Sequence, residues 1–337
     1  MIREAIEMLV DGNSLTQDVA IKVMNEIMEG EATDAQFGSF VTALRVKGET
    51  VDEIAGMAQV MRDKSLKVDV SGTILDSVGT GGDSSGSFNI STTTGFVVAG
   101  AGIKVAKHGN RAMSGACGSA DVLEALGVKI DLSPKSVENC IDSVGFGFMF
   151  AQRYHPSMRY AAGPRKEIGI RNVFNILGPL TNPANANCYL MGVADITMAE
   201  RMAEVLNRLG TRHALVVHGM DGMDEITLSD TTHCWQMKEG ILSKFTMSPE
   251  DFGIKRNSRD SIRVSNPMES ASVLRSVLEG KGGPSRDIVL LNASAALLAA
   301  DAVTTLKDGL GLAIESITSK KAIRVLDSFI EMTQRLD

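Results

Sequence analysis

"TILDSVGTGGDSSGSFNIST", Thr73 to Thr92, begins as a β-like run and breaks into a glycine- and hydroxyl-rich loop. It ends in Asn89-Ile90-Ser91-Thr92, a stretch able to open a helix. A strand that hands over to a helix through such a loop is the unit of a parallel sheet, and its backbone N–H groups can converge on an anion. Neither common phosphate motif is present: after Gly79 and Gly81 the dinucleotide fingerprint needs a glycine where Ser84 stands, and no Gly-Lys-Ser/Thr tripeptide follows. Taken alone, the loop is as readily a flexible surface turn.

The same texture continues downstream. The β-like runs "GIKVAK", "GFMFA", "CYLMGVA" and "HALVVHG" alternate with helical patterns such as "SADVLEALG", "SPKSVENCIDSVG" and "TMAERMAEVLNRLG". Alternation of this kind predicts a mainly parallel central sheet with covering helices. Cys234 to Met247 reads as a hairpin around Glu239-Gly240, followed by a polar segment and a helical C-terminus. Upstream, Ser14 with Gln17, Thr33 with Gln36 and Thr50 with Glu53 are helix-start signals, each a hydroxyl cap followed three residues later by a side chain that can reach back. With a helix at the extreme N-terminus they make about four helices. The fold class is therefore α/β: a small N-terminal all-helical domain, residues 1–70, and a larger α/β domain, residues 71–337.

Composition fits that division. A chain of 337 residues with 44% hydrophobic and 22% charged side chains has room for about two domains and a sizeable core. The net charge of -7 argues against nucleic acid or an anionic membrane as partner, since both require a basic face. Cys117, Cys140, Cys188 and Cys234 lie too far apart for a zinc ribbon or redox pair and read as reduced, cytoplasmic thiols. Met1 to Val10 suits an amphipathic helix better than a signal peptide, and "DIVLLNASAALLAAD" is too short to span a bilayer.

Three further stretches carry chemistry. "VAKHGNRAMSGACGSADVLEALG" again runs from a β-like segment through small residues into a helix, and brings Lys107, His108, Asn110 and Arg111. In "HPSMRYAAGPRKEIGIRNVFNILGPLTNP", Arg165 follows a Gly-Pro turn and Gly178-Pro179-Leu180 makes a second turn. "VVHGMDGMDEITLSD" leads an apolar strand into a loop bearing Asp221, Asp224 and Glu225. Adjacent carboxylates at a strand end suit Mg²⁺, which accepts one or two protein carboxylates and leaves its other positions to water and phosphate. Each charge alone is most often a solvated turn; two similar glycine loops at the ends of neighbouring strands favour a shared anion site. His213 and His218, flanking an apolar strand, read as structural, and His108 and His155 as supporting groups near the loops.

The combination Gly79-Thr80-Gly81-Gly82-Asp83, Asn89-Ile90-Ser91-Thr92, Lys107-His108-Gly109-Asn110-Arg111, Gly178-Pro179-Leu180-Thr181-Asn182-Pro183 and Asp224-Glu225, in this order, resembles the anthranilate phosphoribosyltransferases of tryptophan biosynthesis. The resemblance covers nearly the whole chain. It implies a fold like that of nucleoside phosphorylases and phosphoribosyltransferases, with helices from about 155–183 joining the helical domain, the active site between the domains, and a homodimer. It further implies transfer of the phosphoribosyl group from phosphoribosyl pyrophosphate to the amine of anthranilate, with Mg²⁺, two ions, as cofactor. Carried over by position, Gly79, Gly82, Asp83, Ser87, Asn89, Ile90, Ser91 and Thr92 would hold phosphoribosyl pyrophosphate. So would Lys107, His108, Gly109, Asn110, Arg111, Ala112, Met113, Ser114, Gly115 and Ser119. Gly79, Asn110 and Arg165 would contact anthranilate, and Ser91, Asp224 and Glu225 would bind metal. The sequence departs from the family at Ala112-Met113-Ser114-Gly115-Ala116-Cys117, where backbone N–H groups would have to serve.

The chemistry agrees with the residue types. Breaking a ribosyl C–O bond leaves negative charge on pyrophosphate, which calls for cations and N–H donors more than a covalent nucleophile or a general base. A nucleoside phosphorylase of the same fold stays open as an alternative, although the Asp224-Glu225 pair and Arg165 stand against it. So does a paralogous phosphoribosyltransferase acting on another amine. From a different class, a non-catalytic nucleotide- or nucleic-acid-binding protein would show no turnover.

Overall fold

The computed structural model describes residues 1–112 and 117–336. Four helices open the chain: α1 (Ile2–Val10), α2 (Gln17–Glu29), α3 (Asp34–Lys47) and α4 (Val51–Asp63). Thr33 and Thr50 form reciprocal capping boxes with Gln36 and Glu53, as their spacing predicts. The second start lies elsewhere: Thr16, not Ser14, caps α2, its hydroxyl accepting from the Val19 N–H. Ser14 is two residues too early for its oxygen to meet the first free N–H groups of a helix that begins at Gln17.

The α/β part begins with β1 (Ile74–Gly79) and α5 (Ile90–Gly100), then β2 (Lys104–Gly109), α6 (Ser119–Ala125), α7 (Pro134–Val144) and β3 (Phe146–Phe150). Short helices α8 (Ala151–Tyr154), α9 (Arg159–Ile168) and α10 (Phe174–Leu177) precede β4 (Cys188–Gly192), α11 (Ile196–Arg208) and β5 (His213–Gly219). The hairpin is β6 (Thr232–Lys238) and β7 (Ile241–Met247), and the chain closes with α12 (Pro267–Leu278), α13 (Pro284–Ala299), α14 (Leu306–Thr318) and α15 (Lys321–Arg335).

The sheet runs β3-β2-β1-β4-β5-β6-β7. The first five strands are parallel and the hairpin adds two antiparallel ones, so the sheet is mainly parallel and mixed. Strands such as β5 are buried along their whole length, which is why they read as unbroken apolar runs. Helices α5 and α13 pack on each other and on the sheet, with α14 and α15 outside them. Helix α11 lies on β5 and β6 and meets α4, and α9 packs against α2 and α3. Among the described residues no helix is long and apolar enough to cross a membrane.

Strand order reverses between β1 and β4. Crossovers on the two sides of that boundary diverge, and the gap left beyond the carboxyl ends of the strands is where open α/β sheets take their ligands.

Candidate active site

Both strands at the reversal end in glycine, and both glycines are needed there. A Cβ on Gly79 would run into the Asp224 carboxylate, and one on Gly192 would run into the Asp224 carbonyl oxygen. The loop after β5 can therefore lie across the ends of β1 and β4. It is held from behind by the buried amide of Asn292, which accepts from the Ile226 N–H at 3.0 Å and donates to the Ile226 carbonyl at 3.0 Å. Asp221 turns inward to Thr227 at 2.6 Å and to the Ser229 hydroxyl, so it shapes this loop and leaves Asp224 and Glu225 to the cleft.

Asp224 accepts from the Gly81 N–H at 2.7 Å, and the Ser91 N–H at the start of α5 donates to Glu225. Burial pushes the Asp224 carboxyl up to about 7, with repulsion from Asp83 next in weight. Burial likewise raises Glu225 well above the carboxylate range, and Asp224 adds to the rise. Lys107, only 2% exposed, donates to the Ser77 carbonyl at 2.6 Å and to the Ser91 hydroxyl at 3.1 Å. Burial lowers its pKa, while Asp76 and Glu225 act in the opposite direction. Asp76, buried beneath it and pushed up to about 6 by burial, accepts from the Asn182 amide at 2.8 Å. Asp76 and Glu225 thus face the Lys107 ammonium, and Asp224 and Asp83 lie close enough to Glu225 to repel it. Such an excess of buried negative charge, offered by oxygen donors beside a helix N-terminus, fits a hard divalent cation that brings phosphate with it.

The other expected residues divide. Asn89 donates to the Cys117 carbonyl at 3.1 Å, and Ser87 lies beside Ser85 and Asp83, joining the two glycine loops. Ile90 and Thr92 are buried in the first turn of α5. Gly109 packs against Ser119, whose hydroxyl donates to the Asn110 carbonyl at 3.3 Å. Asp121 accepts from the N–H groups of Ala112 and Gly118, each at 2.9 Å, closing the base of the second loop. Arg111 turns outward to Asp121 and Glu124, so its guanidinium is already occupied. Met113, Ser114 and Gly115 lie outside the described residues.

Arg165 sits on α9 with its guanidinium 5.4 Å over the Phe174 ring. Among the described residues no carboxylate pairs with it, and partial burial lowers its pKa. His108 and His155 face each other with ring centroids 5.0 Å apart. His213 donates to Asp301 at 2.9 Å and His218 to the Val193 carbonyl at 2.8 Å, both structural as expected. Residues 71–323 match the model for the glycosyl transferase family a/b domain, and residues 3–65 that for its helical bundle domain. An anthranilate phosphoribosyltransferase from Dehalococcoides mccartyi is 53% identical, with 100% of this chain and 99% of that protein covered. This chain belongs to the anthranilate phosphoribosyltransferase family.

Solved anthranilate phosphoribosyltransferases have the same fold. The Thermus thermophilus enzyme superposes with a TM-score of 0.93 at 40% identity, covering 98% of this chain and 99% of that one. The Saccharomyces cerevisiae enzyme in complex with PRPP and Mg does so with a TM-score of 0.92 at 28% identity, covering 99% and 98%. Asp76, Gly192, Asn292 and Arg171 also bear on this site and lie outside the residues to which the sequence points. Arg171 extends its guanidinium to the carbonyls of Gly82 at 3.3 Å and Gly81 at 3.4 Å. Gly192 alone had a signal, as a glycine closing a buried strand; the others are ordinary residues until the fold brings distant segments together.

Proposed function

We propose that the cleft beyond β1 and β4 carries out phosphoribosyl transfer from phosphoribosyl pyrophosphate to the amine of anthranilate, giving N-(5-phosphoribosyl)anthranilate and pyrophosphate. The observation that carries this reading is the meeting of Ser91, Lys107, Asp224 and Glu225 at the strand-order reversal. On it, the loop from Gly79 through Gly82, Asp83 and Ser87 to the Asn89–Thr92 helix start holds the donor, with Lys107 to Ala112 and Ser119 on its other side. Asp224, Glu225 and Ser91 hold Mg²⁺, two ions in all, and the bound cation neutralises charge that develops on the leaving pyrophosphate. Lys107 adds a buried donor beside the Ser91 hydroxyl. Arg165, stacked on Phe174 and without an acidic partner among the described residues, pairs with the carboxylate of anthranilate, and Gly79 and Asn110 line the same space. The aromatic amine is neutral near pH 7, so no side chain is assigned as general base.

On the same reading, residues 1–70, joined by the segment from about 155 to 183, form the acceptor side and residues 71–337 the donor side. Exposed Val10 and Val46 on the helical unit support a homodimer through that part, and four free thiols suit the cytoplasm. The test is direct: purified protein with Mg²⁺, phosphoribosyl pyrophosphate and anthranilate should consume anthranilate, followed by loss of its fluorescence. Absence of turnover with anthranilate, or equal turnover with unrelated amines, would remove the assignment.

A further inference from the structure

Arg171 lies in the same stretch as Arg165 but is assigned no role there, and its guanidinium rests on the glycine loop after β1. It donates to the Gly82 carbonyl at 3.3 Å and the Gly81 carbonyl at 3.4 Å, and among the described residues no carboxylate pairs with it. Gly82 sits at φ +79°, and a Cβ there would collide with the guanidinium. The left-handed backbone favours glycine at this position, and the absence of a Cβ leaves room for the guanidinium to lie against the peptide.

The consequence follows from peptide geometry. The described chain has no cis peptide bonds, so each N–H points opposite the carbonyl of its own peptide plane. The Gly81 carbonyl shares its plane with the Gly82 N–H, and the Gly82 carbonyl shares its plane with the Asp83 N–H. Neither N–H has a hydrogen-bond partner among the described residues. A cation on the two carbonyls therefore turns two free donors away from itself and polarises both peptides, strengthening them as donors.

We infer that Arg171 is a positioning residue: it fixes the Gly81–Gly82 and Gly82–Asp83 peptides so that their N–H groups face the pyrophosphate of the donor. The inference rests on the reading of this loop as the donor site. Because Arg171 belongs to the segment that follows α9, it also ties the acceptor-side helix bearing Arg165 to the donor loop.

The test compares Arg171→Ala and Arg171→Lys with the parent chain. Affinity for phosphoribosyl pyrophosphate is measured by calorimetry with Mg²⁺ and by steady-state KM. Arg171→Ala should weaken donor binding roughly 10-fold, the scale of one charge-assisted hydrogen bond, while KM for anthranilate stays within about twofold. Arg171→Lys, which offers a cation but no fork, should fall between, and added guanidinium should restore part of the donor affinity of Arg171→Ala. An exposed position makes folding of both variants testable by thermal melting. If the parent chain binds no phosphoribosyl pyrophosphate, the donor-site reading itself fails. If the parent binds and Arg171→Ala binds equally well, or if both KM values rise together with a lowered melting temperature, the positioning role is overturned.

Discussion

Arg165 and the Asp224-Glu225 pair show how burial changes what a charged side chain is for. A guanidinium held over Phe174 with no acidic partner among the described residues has lost water without gaining a countercharge, and an incoming carboxylate would supply one. Arg165→Ala should cost about 2 kcal/mol of anthranilate binding, a roughly 30-fold rise in KM, with the donor KM little changed. Equal losses for both substrates in steady-state kinetics would take Arg165 out of the acceptor site. The two carboxylates are the converse case, since burial holds Asp224 up at about 7 and raises Glu225 well above the carboxylate range, and a bound cation would lower both. Asp224→Asn with Glu225→Gln keeps the shape and removes the charge. Activity should fall at least about 100-fold, because even the outer partners of a metal ligand are worth 10–100-fold, and raised Mg²⁺ should recover part of it. A loss insensitive to Mg²⁺ with an altered pH–rate profile would mark these residues as acid–base groups instead.

At the scale of an element, the loop after β5 is only as well placed as the glycines beneath it. Gly192→Ala puts a methyl group where the Asp224 carbonyl oxygen lies, and backbone yields less readily than a side chain. The loop must lift, carrying Asp224 and Glu225 away from Lys107 and Ser91. We expect a stability loss of about 1–3 kcal/mol, as for overpacking, and a fall in kcat on the order of 100-fold for a displacement of about 1 Å. Gly311→Ala is the control: nothing lies within 4 Å of a Cβ at that exposed site in α14, so replacing glycine there should stabilise by up to about 1 kcal/mol. Chemical denaturation and initial rates on the two variants separate the effects. Wild-type kcat in Gly192→Ala would mean that the loop position does not matter to catalysis.

The whole molecule carries a pH dependence that begins where its two parts meet. His155, with the backbone of Met61 and Thr181 beside it, is buried and its pKa is held down at about 4, chiefly by loss of water. A histidine depressed in the folded state takes up its proton in the unfolded chain first. Its contribution is therefore fully present above about pH 6.5 and is lost as pH falls toward 4, at up to about 1.4 kcal/mol per pH unit. His108 adds a second group of the same sign. Asp76, raised to about 6, opposes both, since the folded state then binds its proton more tightly. The test must accordingly be differential: His155→Asn should lose less melting temperature than the parent between pH 7 and pH 5. Parallel curves would show that His155 titrates as it does in the unfolded chain.

The sequence by itself determined what depends on neighbours along the chain. Capping boxes at Thr33 and Thr50, the alternation of strands and helices, and the glycine loops at Gly79 and Lys107 are local patterns with a local physical cause, and each forms where its spacing places it. Ser14 does not cap α2, because Thr16, two residues on, offers the same hydroxyl at the actual start of the helix. Only the tertiary structure decided the rest. Asp224 meets Gly81 across 143 residues, Asn182 reaches Asp76 across 106, and Arg171 reaches Gly82 across 89. No periodicity spans such distances. What brings those residues together is the reversal of strand order, which sets β1 beside β4 with their carboxyl ends under the loop after β5, because burial in a sheet rewards pairing of strands far apart in sequence.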